Sequence, residues 1–219
     1  ADTETSKSSI KGVKDNHICA WTISARAYGV NLFTLWGQKP SDMVTCLSML
    51  VDSMHGDKTL VYWHNMSYDW QFIKKFCFEK WDYPVKQLNT KPLYPISIEF
   101  ENGVIFRDSL ILAQRSLEKW AEDLDVEHKK AVGYWDYDQI RNQNTWLNPN
   151  ELTYIEHDTL AGVERLDAMR LQLNKKIWQM PYTATGIVRQ DVIGIGRSYR
   201  AKDRFNRAVP TLEQYLMLE

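Results

Sequence analysis

Leu60-Val61-Tyr62-Trp63 is a short, unbroken apolar run, the pattern expected of a central strand rather than a half-exposed one. The rest of the chain supplies the helices that cover such a strand, interleaved with further strand patterns. Ile18-Cys19-Ala20-Trp21-Thr22-Ile23 and Asn31-Leu32-Phe33-Thr34-Leu35-Trp36 flank Tyr28-Gly29 and predict a hairpin. Ile96-Ser97-Ile98-Glu99-Phe100 and Val104-Ile105-Phe106-Arg107-Asp108 bracket Asn102-Gly103, which predicts a type I′ turn because both residues tolerate positive φ. Ser41 is expected to cap a helix with Met43, Leu47, Leu50, Val51 and Met54 on one face. A second helix is expected from Tyr68 to Trp81, with a stripe at Asp69, Phe72, Ile73, Phe76 and Lys80. A third is expected after Ser116, through Leu117, Trp120, Ala121 and Leu124. Asn148-Pro149-Asn150-Glu151 combines a capping residue, proline at the first helical position and glutamate at the third. A helix therefore starts there and runs to about Leu173, with Leu152, Ile155, Val163 and Leu166 facing the core. The expected class is α/β, a mixed sheet flanked by helices.

With 44% hydrophobic and 25% charged residues in 219, the composition is that of a soluble globular protein. No apolar run reaches membrane-spanning length and no signal peptide opens the chain, so a cytoplasmic setting is expected. The net charge of -1 conceals a cluster: Arg189, Arg197, Arg200, Lys202, Arg204 and Arg207 face only Asp191 and Asp203 between Thr185 and Ala208. That stretch suits either a solvated face or a phosphate-contacting edge, and it divides the chain into an expected domain over 1–184 and a basic segment over 185–219. Cys19, Cys46 and Cys77 are odd in number, widely spaced and without a C-x-x-C pattern. They are expected to be reduced, buried small hydrophobes. Gly194-Ile195-Gly196 lacks the third glycine and the preceding strand of a nucleotide-binding loop.

Four acids are candidates for chemistry, although Asp2 and Glu4 alone also suit surface acids and Tyr154 and Asp158 alone a chance amphipathic pair. Asp2 and Glu4 stand at i and i+2, so in a strand they point to one face. Asp69 lies on the apolar stripe of its expected helix, where an unpaired charge is too costly and a partner or metal is needed; the plainer reading is an acid complementing the helix dipole. Tyr154 and Asp158 stand at i and i+4 on the capped helix, hence on one face. All four are hard oxygen donors, suited to Mg²⁺ or Mn²⁺.

In order, Asp2-Thr3-Glu4-Thr5, then Tyr62-Trp63-His64-Asn65-Met66-Ser67-Tyr68-Asp69 with Phe72, then Tyr154-Ile155-Glu156-His157-Asp158 resemble the three exonuclease motifs of family B DNA polymerases. They are most similar to the protein-primed enzymes of phages and linear plasmids. Arg107-Asp108-Ser109-Leu110 resembles the Asp-Ser-Leu segment of those enzymes, and Val209-Pro210-Thr211-Leu212 the segment leading to their polymerase palm. The resemblance implies a ribonuclease H-like (DnaQ-like) fold and 3′→5′ hydrolysis of single-stranded DNA as proofreading. It implies that Asp2, Glu4, Asp69 and Asp158 hold two Mg²⁺ or Mn²⁺ ions and that Tyr154 orients the attacking water. It further implies that Thr5, Tyr62, His64, Asn65, Tyr68, Phe72, Ser109 and Leu110 hold the 3′ end. Lys130, or else Lys129, stands where those enzymes carry a lysine for the scissile phosphate. Tyr68 departs from the usual phenylalanine but keeps an aromatic platform. The family has residues upstream of its first motif and a polymerase signature downstream, so a trimmed fragment with a polymerase domain and a priming terminal protein as partners is expected. Two alternatives stand beside this: a free-standing exonuclease on RNA or DNA, and an inactive module that binds DNA or a priming protein.

Overall fold

The computed structural model describes residues 1–10, 13–54, 57–116, 119–120, 126–128 and 134–198, with side chains at all of these except 8–10, 13–15 and 195–198. The chain divides into two compact units, Ala1–Tyr182 and Thr183–Glu219.

In the first unit, β1 (Asp2–Ile10), β2 (Val13–Ala27) and β3 (Val30–Gly37) form an antiparallel sheet in that order. A second sheet has the order β4-β7-β6-β5, from β4 (Thr59–Trp63), β5 (Lys86–Lys91), β6 (Tyr94–Glu99) and β7 (Val104–Asp108). Only β4 and β7 pair in parallel, with Tyr62 opposite Arg107 and Trp63 opposite Asp108. The apolar run at Leu60–Trp63 thus ends its own sheet instead of lying inside it. On its other side, Ala1, just before β1, donates from its nitrogen to the Tyr62 carbonyl at 2.8 Å.

Helices α1 (Pro40–Ser53) and α2 (Met66–Trp81) cover one side of the strands, α3 (Leu110–Ala113) follows β7, and α4 (Pro149–Gln172) packs on β2. The α1–α2 side holds the main core, in which Trp63, Trp70, Trp81, Phe100 and Phe106 meet edge to face or tilted. A smaller cluster of Cys19, Ala20, Trp135, Leu147, Tyr154 and Ile155 joins α4 to β2. In the second unit, α5 (Ala184–Ser198) contains Gly194-Ile195-Gly196, which are helical.

Several sequence expectations change. The Asn102-Gly103 turn is not type I′, since only Gly103 has positive φ (94°). Phe100 and Val104 already pair through their backbones across it, leaving a longer loop in which Asn102 Oδ1 accepts from the Val104 amide. The positive-φ pair falls instead at Tyr28 (52°) and Gly29 (78°), where the turn twists with its strands. Ser41 does not cap α1: Lys39 precedes it and Pro40 is its first residue, where a missing N–H costs nothing. The buried stripe of α2 is Met66, Asp69, Trp70, Ile73, Cys77 and Trp81, while Lys80 is exposed. The helix expected after Ser116 lies largely outside the described residues, although the Trp120 amide bonds the Ser116 carbonyl at 2.9 Å. Cys19 and Cys77 are buried, Cys46 half-buried, and all three are free thiols. No described helix is long and apolar enough to cross a membrane.

Candidate metal and nucleic-acid site

Alternation along β1 sorts its side chains onto two faces. On one, donor atoms of Asp2, Glu4 and Asp158 all lie within 4.8 Å of one another, Asp158 reaching in from α4. On the other, the Thr3 hydroxyl makes a short hydrogen bond to Asp69, and the Thr5 hydroxyl bonds the Tyr68 hydroxyl at 2.6 Å, both partners belonging to α2. Asp69 stands outside the close trio. It is nonetheless 3% exposed, and burial first and the Asp2 charge second push its carboxyl up to about 8, against the pull of Thr3. So many carboxylates in so little space is what a cation site requires, because without one their charges oppose each other.

Tyr154 is held from three sides. Its ring stacks on Trp135 at 5.8 Å, its hydroxyl lies 2.8 Å from the Tyr137 hydroxyl, and it rises from α4 one turn before Asp158. Burial, then Glu4, Asp158 and Tyr137, raise its pKa well above the ordinary phenol value, so it stays a neutral hydrogen-bonding group at physiological pH. The start of α4 is fixed by a reciprocal cap: Asn148 Oδ1 accepts from the Glu151 amide at 3.1 Å and Glu151 Oε2 from the Asn148 amide at 2.8 Å. Glu151 also takes the buried Arg141, whose guanidinium lies 4.3 Å over the Trp135 ring. The cap that starts α4 therefore also fixes the stacking partner of Tyr154.

The expected DNA contacts gather at the ends of β4 and β7. His64 Nδ1 lies 3.1 Å from Ser109 Oγ, and the His64 ring stacks on Trp120 at 6.1 Å. Ser109 is buried and donates from Oγ to the Trp63 carbonyl at 3.0 Å, so its hydroxyl is committed within the protein. Leu110 is half-buried at the start of α3, and Asn65 is exposed with φ 71° before α2. Tyr68 is 45% exposed and meets the half-buried Phe72 edge to face at 5.2 Å. Tyr62 lies across from Arg107, which donates to the Met180 carbonyl at 3.2 Å and stacks over Tyr182 at 4.7 Å. A small cleft, open to solvent, is lined by Asp2 and Asp158 together with Tyr62, His64, Ser109, Thr159 and Gly162. Lys129 and Lys130 lie outside the described residues.

Sequence reading missed Thr3, Asp108, Trp135, Tyr137 and Arg141. The face that Thr3 takes follows from alternation in β1, but its partner Asp69, like the partners of the others, is brought near only by the folded chain. A second grouping, Glu127, His128 and Glu164, is of another kind. Glu164 already accepts from Asn31 Nδ2 at 2.8 Å and from the His128 amide at 2.9 Å, and its Oε1 lies 2.6 Å from His128 Nδ1. With its acceptors so engaged and Arg26 3.8 Å away, it clamps α4 to β3 and to residues 126–128 and has little capacity left for a cation.

Residues 51–181 match the family described as DNA polymerase type B, organellar and viral. No curated protein matches the sequence. Among solved structures, Phi29 DNA polymerase complexed with single-stranded DNA superposes with a TM-score of 0.71 at 16% identity, over 96% of this chain and 36% of that one. Phi29 DNA polymerase with primer-template DNA and incoming nucleotides gives 0.68 at 16% identity, over 96% and 35%. The chain thus spans little more than a third of the polymerase it resembles, and at this identity the likeness establishes the fold alone, which is α/β and ribonuclease H-like. With more than half of its length matched, the chain belongs to the organellar and viral type B DNA polymerases.

Proposed function

We propose that this chain is the 3′→5′ exonuclease domain of a protein-primed DNA polymerase, removing deoxynucleoside monophosphates from single-stranded 3′ ends. The observation that carries the reading is the convergence of Asp2, Glu4 and Asp158 within 4.8 Å, with Asp69 near enough for the Asp2 charge to raise its carboxyl. The donor set fits Mg²⁺ or Mn²⁺: every ligand is a carboxylate oxygen, and the elevated Asp69 marks a place where positive charge is lacking. Two such ions, when bound, supply the acidity that activates a water and offset charge on the leaving oxygen. Tyr154, neutral and fixed by Trp135 and Tyr137, orients that water by hydrogen bonding. Tyr68 and Phe72 offer an aromatic wall on which an unstacked base rests. Lys130 is the proposed cation for the scissile phosphate. A polymerase domain in the same native chain and a terminal protein are the proposed partners, with action in the host cytoplasm.

The test is monophosphate release from a single-stranded oligonucleotide. Mg²⁺ or Mn²⁺ supports it and chelator stops it. Release that continues unchanged in chelator rejects the two-metal reading, and DNA binding without hydrolysis in either metal favours an inactive binding module.

A further inference from the structure

Of the residues expected to hold the 3′ end, His64 and Asn65 follow β4 as one wall and Ser109 and Leu110 follow β7 as another, and one buried carboxylate is bonded to both. Asp108 ends β7 and is 4% exposed. Its Oδ1 accepts from the Leu110 amide at 2.7 Å and from the Asn65 amide at 3.4 Å, while Oδ2 accepts from the Met66 amide at 3.1 Å. The amides of Asn65 and Met66 belong to the turn between β4 and α2; that of Leu110 opens α3. These segments are 42 or more residues apart in sequence, brought together because β4 and β7 run parallel with Trp63 opposite Asp108.

The bonds have a specific consequence for geometry. Asn65 holds φ 71°, a left-handed conformation that asparagine adopts more readily than most residues with a Cβ. Asp108 fixes the course of that turn by accepting from the amides of both Asn65 and Met66. Ser109 adds a second tie between the same walls, its amide donating to the Trp63 carbonyl at 2.8 Å. Burial pushes the Asp108 carboxyl up, and the amides of Leu110, Asn65, Ile111 and Met66 draw it back.

We infer that Asp108 is a positioning residue for single-stranded DNA: by bonding both turns it sets the spacing between the wall of His64 and Asn65 and the wall of Ser109 and Leu110. The inference rests on the exonuclease reading above. A carboxylate is suited to the role because both of its oxygens accept; an amide in its place turns one of them into a donor facing an N–H.

The experiment compares the 219-residue protein with Asp108→Asn on a single-stranded oligonucleotide in Mg²⁺. KM rises about tenfold or more while kcat at saturating DNA changes by less than about threefold, the signature of lost binding geometry with intact chemistry. Active wild type combined with an unchanged KM, or with a fall confined to kcat, overturns the inference alone. Wild type that does not hydrolyse the oligonucleotide overturns the exonuclease reading, and this inference with it. Should Asp108→Asn fail to fold, amide hydrogen exchange on the wild type decides. The Asn65, Met66 and Leu110 amides are expected to be protected before DNA is added, and exchange at open-loop rates in the DNA-free protein overturns the inference.

Discussion

Asp69 sits where its environment opposes its charge. Burial and Asp2 raise it to about 8, so in the metal-free fold it is largely protonated at neutral pH and Asp69→Asn removes little charge. Turnover on single-stranded DNA is nevertheless expected to fall about a thousandfold or more for Asp69→Ala and for Asp158→Ala, the loss that follows when charge stabilisation at the reacting phosphate is withdrawn. The check is single-turnover hydrolysis beside DNA binding measured in Ca²⁺: binding persists in these variants, whereas Phe72→Ala weakens binding more than turnover. If all three lose only affinity, the acids are not metal ligands. Little of this electrostatic arrangement was legible in the chain. That Asp2 and Glu4 share a face follows from strand alternation, but Thr3 reaching Asp69 needs β1 and α2 side by side, and Tyr137 reaching Tyr154 needs a loop whose course no local pattern dictates.

Among the elements, α4 was the most legible. Every signal for its start is local, namely Asn148, Pro149 and Glu151, and the cap forms from those residues. What the sequence did not disclose is that Glu151 also answers the buried Arg141. Glu151→Ala therefore costs more than a cap: about 3 kcal/mol or more, because it leaves a guanidinium buried without its carboxylate. Asn148→Ala costs only about 1 kcal/mol. Equal losses in denaturant unfolding of the two variants contradict this. Farther along the helix, Glu164 is pushed up by burial and pulled down further by Asn31 and by the amide and ring of His128, leaving its carboxyl below the ordinary value of 4.5. A carboxyl lowered by folding contributes stability above its unfolded pKa and loses it as pH falls through the folded one. Glu164→Gln is thus expected to destabilise at pH 7 and to match the wild type once pH drops well below 4.5; a constant gap down to strongly acidic pH contradicts it. The misplaced type I′ turn has the opposite lesson. Asn102-Gly103 satisfies the local rule, but the register of β6 on β7 sets the loop length, and register is a property of the sheet.

Seen whole, the molecule places its acidic cluster at the meeting of two sheets and one long helix, with the aromatic wall of α2 on the other side of β1. A groove of that kind favours an unpaired strand, so a mismatched 3′ end is expected to be trimmed faster than a matched one. The difference is bounded by the few kcal/mol of terminal unpairing and shrinks on warming. Equal release from matched, mismatched and single-stranded primers rejects the groove, and faster release from RNA moves the assignment to a ribonuclease. One further consequence lies in β1. Asp2 and Glu4 look one way, Thr3 and Thr5 the other, and the extra residue where the pairing slips, Cys19, belongs to β2. The strand therefore obeys a parity rule. Deleting Glu4, the one residue between Thr3 and Thr5, with the register kept from Thr5 onward, sends the Thr3 hydroxyl to the carboxylate side and Asp2 to the α2 side, whereas an added residue on β2 is absorbed as a bulge. Of two neighbouring strands, one forgives an odd count and the other does not.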